Sequence, residues 1–331
     1  MNYNTLKYLG HPSQLHYVEE VKLCEGKGKD VRLLQINNSK GLFVTLTPDR
    51  CVDISRLNYK GINLSYFSPC GYVAPSYYDK QDFLRSFTAG FLTTCGLMSV
   101  GSPVEDEYGL GVMHGRISNI PCDHLFWYEE EVNGEDLIII TAKITQAVLF
   151  GEKLSLTRRI IVHTNDNLIE INDTITNEGG EKQPLMLLYH CNMGYPLLDE
   201  NSIVDIPAKT TAPRDPRAAE GINEWQKMTA PQNGFAEQCY FHDLTADNNG
   251  NTYASIYNPK LNVGVKLEFN KNELFRFTEW KQMGERDYVL GLEPSNCTVE
   301  GRIKAAKLNE LQFINSGESK TFNLKIKIFE K

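Results

Sequence analysis

The sequence reads LIIITAKITQAVLF at residues 137–150, LSLTRRIIVH at 154–163 and LIEINDTITN at 168–177, three consecutive runs rich in β-branched side chains. In the third run Ile169, Ile171 and Ile175 occupy alternate positions. A period of two places these side chains on one face of an extended chain. The stretch therefore predicts three successive β-strands with one buried face.

The same alternation recurs towards the C-terminus, at Val263, Val265, Leu267 and Phe269 and again at Phe322, Leu324, Ile326 and Ile328. Clusters of Gly, Asn and Asp separate the runs and predict hairpin turns. Helical periodicity is nearly absent, and the best short candidates are residues 81–87 and a stretch within 214–228. The chain is therefore predicted to be all-β. Residues 207–235 lack strand alternation and predict a long ordered loop over one sheet.

The composition is that of a globular protein, with 331 residues, 41% apolar and 23% charged. Large β-sandwiches often exceed about 250 residues as one unit, so we expect one domain over residues 1–331. The net charge of −8, without a basic cluster, argues against a nucleic acid partner. The sequence leaves open whether the chain forms a homodimer.

The eight cysteines are scattered and form no C-x-x-C pair, which argues against structural zinc and a disulfide scaffold. No apolar run is long enough to span a membrane, and the first ten residues do not resemble an export signal. A cytoplasmic protein with reduced thiols and no membrane association is expected.

Two ionisable residues stand in otherwise apolar strands. His190 follows the run PLMLLY, and Glu293 lies within DYVLGLEPSN. An unpaired buried carboxylate costs several kcal/mol, so each side chain is paired, points to solvent or lines a polar cavity. The nucleotide-binding, G-x-S-x-G and H-E-x-x-H signatures are absent from the sequence.

Six stretches, in order along the chain, resemble the aldose 1-epimerase (galactose mutarotase-like) superfamily, particularly its galactose mutarotase-related branch. They are DRCVDISRLNYKGINLSYFSP (49–69), FLRSFTAGFLTTCGL (83–97), GVMHGRISNIP (111–121), DTITNEGGEKQPLMLLYHCNMGYPLL (173–198), LGLEPSN (290–296) and LQFINSGESKTFNLKIKIF (311–329). The resemblance implies a large antiparallel β-sandwich of the galactose mutarotase-like supersandwich type. Where many mutarotases carry H-x-Y-F-N-L, this chain has HCNMGY at 190–195.

The resemblance also implies an isomerase that interconverts the anomers of a free aldose or deoxyaldose. Glu293 would be the general base and His190 the general acid, on one face of a sheet and within about 8 Å, which one sugar ring can bridge. The sugar-binding residues would be His114, Arg85, Arg116 and Asn192.

Anomer interconversion needs a base for the C1 hydroxyl proton and an acid for the ring oxygen, without a metal or cofactor. At neutral pH we expect an ionised Glu293 and a protonated His190, and a bell-shaped pH profile with Glu293 on its acid limb and His190 on its alkaline limb. Trp280 would stack on the apolar face of the sugar. Trp127 is expected in the core.

Two other functions stay open. A carbohydrate-binding protein without catalysis would keep the arginines and aromatic residues but would not require Glu293 and His190 together. A glycan-cleaving hydrolase or lyase would use the same sandwich. Hydrolysis usually needs a second carboxylate beside Glu293, for which Glu279 and Asp53 are the candidates.

Overall fold

The computed structural model describes residues 7–79 and 82–331. Its antiparallel strands form a five-stranded N-terminal sheet, an eight-stranded back sheet, a front sheet and a two-stranded ribbon. The N-terminal sheet contains, in order, β1 (Tyr17–Lys22), β2 (Arg32–Asn37), β3 (Leu42–Thr47), β4 (Asp53–Tyr59) and β5 (Ile62–Asn63). The ribbon consists of β7 (Val104–Asp106) and β8 (Gly109–Gly111).

The back sheet contains the three runs that decided the fold class. Its strands, in spatial order, are β14 (Ile203–Asp205), β17 (Asn251–Asn258), β18 (Val263–Asn270), β22 (Ser319–Phe329), β12 (Leu168–Asn177), β11 (Lys153–His163), β10 (Glu135–Ala147) and β9 (Asp123–Val132). The register places Ile140 opposite Ile160 and Ile160 opposite Ile171, and all three are buried. The three predicted strands are confirmed, except that the first ends at Ala147 and residues 148–150 belong to the turn before β11. Alternation gives this sheet its buried face.

The front sheet carries the predicted site residues His190 and Glu293. Its strands, in spatial order, are β15 (Ala208–Pro213), β16 (Gln238–Leu244), β19 (Arg276–Met283), β20 (Tyr288–Ser295), β13 (Gln183–Met193) and β21 (Gln312–Ile314), and β6 (Leu92–Leu97) also pairs with β13. Leu187 and Tyr189 of β13 pack into the main core, whereas Met186 and Leu188 pack into a second apolar cluster. Both faces of β13 are therefore covered.

The main core unites the sheets. It contains Leu34 of the N-terminal sheet, Ile171 of the back sheet and Leu292 of the front sheet, each fully buried. Apolar side chains from facing sheets interdigitate in a sandwich, and this burial is the main stabilising contribution. The predicted antiparallel β-sandwich is confirmed.

Helical structure in the described part of the chain is short. Its α-helices are α1 (Pro216–Ala219) and α2 (Arg302–Lys307), and the remainder is single 3-10 turns. Within the predicted helix 81–87, Gln81 lies outside the described residues and Phe83–Arg85 form one 3-10 turn. None of the described helices is long and apolar enough to cross a membrane.

The predicted loop at 207–235 is wrong for its first part. Ala208–Pro213 form β15, an edge strand paired with β16 alone. None of its side chains is fully buried, and they include Lys and Thr, so the apolar alternation that identifies a half-buried strand is missing. The following segment lies over the front sheet, where Trp225 packs on His242 with ring centroids 4.6 Å apart.

The prediction that Trp127 lies in the core is wrong. This residue lies on β9, the edge strand of the back sheet, and 36% of its surface is exposed. An edge strand has a neighbouring strand on one side only, so its side chains are more exposed to solvent than those of a central strand.

Candidate active site

The strand register of the front sheet brings His190 and Glu293 together. β13 pairs with β20 so that Leu188 lies opposite Ser295 and Cys191 opposite Leu292, which places His190 opposite Glu293. Directly opposed residues of antiparallel strands point to the same face with neighbouring side chains. His190 Nε2 lies 3.2 Å from Glu293 Oε1, well inside the expected 8 Å.

Glycine at position 291 makes room for this pair. It lies two residues before Glu293 on β20, on the same face of the strand. A Cβ atom there would come within 2.6 Å of Glu293 Oε1 and 3.0 Å of Trp280 Cβ. Gly291 therefore allows the carboxyl group and the indole to occupy adjacent space.

Burial makes both members of the pair neutral in the unliganded protein, where the sequence predicted both to be charged. Desolvation, followed by the negative charge of Glu237, raises the pKa of Glu293 to about 8. Desolvation, followed by the proximity of His114, lowers the pKa of His190 to about 3. At neutral pH the carboxyl group is protonated and the imidazole neutral, so the expectation of ionised Glu293 beside protonated His190 is wrong for this state. The pair still carries one proton.

A cavity of about 420 Å³ opens above the pair, within the range of small-molecule sites. Its walls include Phe83, Phe87, Met113, His114, Arg214, Glu237, Cys239, Thr278 and Trp280. The ring centroid of His190 lies 5.3 Å from that of Trp280, 5.4 Å from that of Phe87 and 5.5 Å from that of His114. Three rings therefore surround the imidazole and shield it from water.

His114 reaches the cavity through a tightly bound loop. Its backbone N–H donates to the carbonyl of Gly101, and its own carbonyl accepts from Gly96 N–H. The following Gly115 has φ +75°, and a Cβ atom there would lie 2.0 Å from the carbonyl oxygen of Gly96. Only glycine fits, which explains the His-Gly pair in the sequence. Burial lowers the pKa of His114 to about 4, so this side chain is neutral at neutral pH.

Three further polar residues of the cavity were missed from the sequence. Arg214 and Glu237 border the connection between β15 and β16, and Thr278 lies opposite Glu293 in the strand register. Arg214 Nη2 donates to Glu237 Oε1 over 2.8 Å. Trp280 Nε1 donates to Glu237 Oε2 over 2.7 Å. The available signal was the predicted loop at 207–235, which contains Arg214 and ends two residues before Glu237.

The structure does not bring three of the predicted sugar-binding residues to this cavity. Arg85 is 83% exposed and pairs with Asp82, although Phe83 and Phe87 beside it reach the cavity. Arg116 lines a different depression with Gln146. Asn192 is fully buried, and its amide donates to the backbone carbonyl of His190. Of the predicted set, His114 and Trp280 join the pair.

The carboxylates proposed for hydrolysis also lie elsewhere. Glu279 points to the opposite face of β19 and contacts His242, with 3.1 Å between its Oε2 and the imidazole Nε2. Asp53 is buried against Arg158, which donates to its Oδ1 over 2.7 Å. The carboxylate that does share the cavity with Glu293 is Glu237. In the described part of the chain, no group of three or more His, Cys, Asp or Glu is arranged to hold a metal ion.

One family model covers most of the chain. Residues 28–328 match the family described as "Domain of unknown function (DUF4432)". A comparison of the sequence with curated proteins gives no match.

Solved structures give closer information on the fold. A protein of Klebsiella pneumoniae subsp. pneumoniae MGH 78578, provisionally named aldose 1-epimerase, superposes with a TM-score of 0.91 at 23% identity, over 100% of this chain and 87% of that one. A galactose mutarotase-like protein of Clostridium acetobutylicum gives 0.66 at 14% identity, over 96% and 100%. A galactose 1-epimerase of Lactobacillus acidophilus NCFM gives 0.60 at 13% identity, over 95% and 99%. The predicted galactose mutarotase-like fold is confirmed.

Proposed function

For a chain that belongs to the DUF4432 family and has the galactose mutarotase-like fold, we propose an isomerase activity that interconverts the anomers of a free aldose or deoxyaldose. One observation carries the proposal. A carboxyl group and an imidazole lie 3.2 Å apart at the base of a cavity of sugar size, and together they hold one proton at neutral pH.

The proposed reaction needs one proton on the pair, for donation to the ring oxygen, and one unprotonated group, to accept the proton of the C1 hydroxyl. Glu293 takes the proton of the C1 hydroxyl while His190 gives a proton to the ring oxygen, the C1–O5 bond breaks, and rotation about C1–C2 precedes ring closure. For this to begin, the shared proton must lie on His190 in the sugar complex. Sugar hydroxyls donating to Glu293 would favour its ionised form, since hydrogen bonds to the charged form lower the pKa of a carboxyl group.

The surrounding walls suit a sugar. The indole of Trp280 offers an apolar face for the C–H surface of the ring, and His114 and Thr278 offer polar groups for hydroxyls. Phe83 and Phe87 exclude water, which strengthens the electrostatic interactions inside.

Glycan hydrolysis is the second candidate, because Glu237 gives the cavity a second carboxylate. Both oxygens of Glu237 already accept hydrogen bonds, from Arg214 and from Trp280. Because both oxygens are engaged as acceptors, neither is placed to donate a proton to a leaving group. A binding protein without catalysis would keep the cavity but show no turnover.

The test is to follow anomer equilibration of a panel of neutral free sugars by polarimetry or NMR exchange, with and without the protein. We expect faster equilibration, unchanged by a strong chelator, since the steps are proton transfers. Glu293→Gln and His190→Asn should each lower kcat by about 10²-fold or more. The matched control is Glu220→Gln, which alters an exposed carboxylate paired with Arg217.

The alternatives predict other results. Sugar binding without faster equilibration would favour a binding protein, and release of new reducing ends from an oligosaccharide would favour a hydrolase. Near-normal equilibration by Glu293→Gln would show that another residue is the base.

A further inference from the structure

A chain of hydrogen bonds runs along one side of the cavity, from Arg214 through Glu237 to Trp280. Glu237 Oε1 accepts from Arg214 Nη2 over 2.8 Å, and Glu237 Oε2 accepts from Trp280 Nε1 over 2.7 Å. Charge-assisted hydrogen bonds of this kind are shorter and stronger than neutral ones. The carboxylate of Glu237 is therefore held on both sides, although 43% of this side chain is exposed.

The strands fix the positions of these residues. Arg214 directly follows β15, and its backbone N–H donates to the carbonyl of Cys239 over 2.9 Å. Cys239 lies opposite Trp280 in the register of β16 and β19. Arg214 is also held by Asp215, whose Oδ2 accepts from its Nε over 2.9 Å and whose Oδ1 accepts from Ala218 N–H at the start of α1.

The indole of Trp280 packs against the apolar cluster of Phe83 and Phe87, but such apolar contacts are not directional. It is partly exposed, and the residue beside it on β20 is Gly291, which has no side chain. Its ring nevertheless meets that of His190 edge-on, at 5.3 Å between centroids and 79° between planes. The N–H bond to Glu237 is the directional contact that distinguishes this orientation from others.

We propose that Glu237 is a positioning residue, which fixes the indole of Trp280 against His190 while Arg214 holds the Glu237 carboxylate in place. The proposal rests on the proposed function, because the oriented indole forms a wall of the sugar cavity and sets the position of the imidazole. Misplacement of such groups by about 1 Å can lower the rate about 10²-fold. A residue that contacts Trp280, and not the catalytic pair itself, can therefore affect turnover.

The first test needs no substrate. The protein has three tryptophans, so a ¹H–¹⁵N spectrum contains three indole N–H signals, and Trp280→Phe identifies the signal of Trp280 by its loss. In Glu237→Ala we expect this signal to shift and its exchange with water to become at least tenfold faster. Glu237→Gln keeps an acceptor oxygen and should retain most of the protection. Glu220→Ala, in the same connection but outside the cavity, should change nothing.

The second test uses turnover. Glu237→Ala should lower kcat about tenfold, Glu237→Gln should recover most of it, and Glu237→Ala should cost nothing further in a Trp280→Phe background. Such non-additivity is expected when one residue acts through another.

Three results would overturn the proposal. They are an unchanged Trp280 indole signal in Glu237→Ala, additive losses in the double variant, and loss of turnover in Glu237→Gln with an intact indole signal, which would place Glu237 on the substrate. If the wild type equilibrates no sugar, the proposed function fails while the spectrum still decides whether Glu237 holds the indole.

Discussion

At the scale of single residues, the site depends on where one proton resides. Glu293 and His190 are both buried, and burial penalises the charged form of each. Two neutral groups in contact can become an ion pair by transfer of one proton between them. In the proposed mechanism, this transfer lets the unliganded protein keep a neutral pair while the sugar complex uses a charged one.

The pH profile of kcat/KM should therefore be broad, with its limbs assigned in the opposite order to that expected from the sequence. The pKa of Glu293 is about 8, so above this pH the pair loses its shared proton. No proton is then available for the ring oxygen. Below about pH 3 His190 is protonated while Glu293 is also protonated. The pair then has no group that can accept the proton of the C1 hydroxyl. We expect an alkaline limb near pH 8. A fall centred near 6.5, the ordinary value for histidine, would contradict this order.

The pH dependence of stability offers an independent check. The pKa of Glu293 is raised on folding, so the folded protein holds a proton that the unfolded chain releases above its ordinary value. Its contribution to stability is present below about pH 4.5 and is lost as the pH rises to about 8. Urea unfolding of Glu293→Gln should show a stability advantage over the wild type that grows from pH 5 to pH 8. A constant difference would mean that Glu293 ionises normally in the folded protein.

At the scale of elements, the neighbouring strands β13, β19 and β20 set the geometry of the pair. The register of β13 and β20 opposes His190 to Glu293, and that of β19 and β20 opposes Trp280 to Gly291. A shift of one residue would turn a strand's side chains to the other face. The site is thus a property of strand pairing, which the sequence patterns of the separate strands do not reveal.

Gly291→Ala tests this arrangement within an otherwise unchanged strand. The added Cβ would lie 2.6 Å from Glu293 Oε1 and 3.0 Å from Trp280 Cβ, so both side chains must shift. We expect kcat to fall at least tenfold while the circular dichroism spectrum is preserved. Gly180→Ala is the control, because a Cβ there meets no atom within 4 Å. Equal activity of the two variants would show that the pair tolerates displacement.

At the scale of the whole molecule, a buried ionic network links the three large sheets. Arg158 of β11 donates to Asp173 of β12 and to Asp53 of β4, and the hydroxyl of Tyr189 on β13 donates to Asp173. Arg158 and Asp173 are each about 1% exposed. The network fixes β13, and hence His190, relative to the sheets behind it.

Arg158→Met should therefore destabilise the protein by about 3–5 kcal/mol, because it leaves two buried carboxylates without their cation. Arg159→Met is the matched control, since Arg159 is the next residue of β11 and points to the other face. Chemical denaturation of both variants measures the difference. Equal losses of stability would mean that the buried network contributes no more than a partly exposed arginine on the other face of β11.

The sequence alone determined the all-β class and the three strands β10, β11 and β12, because alternation is a local property with a period of two. With the family resemblance, it also singled out His190, Glu293, His114 and Trp280. Only the tertiary structure decided that Arg85, Arg116 and Asn192 stay out of the cavity and that Arg214 and Glu237 enter it. Which distant residues share a cavity depends on strand register and loop path. The protonation of the pair was likewise decided by burial, which no local pattern records.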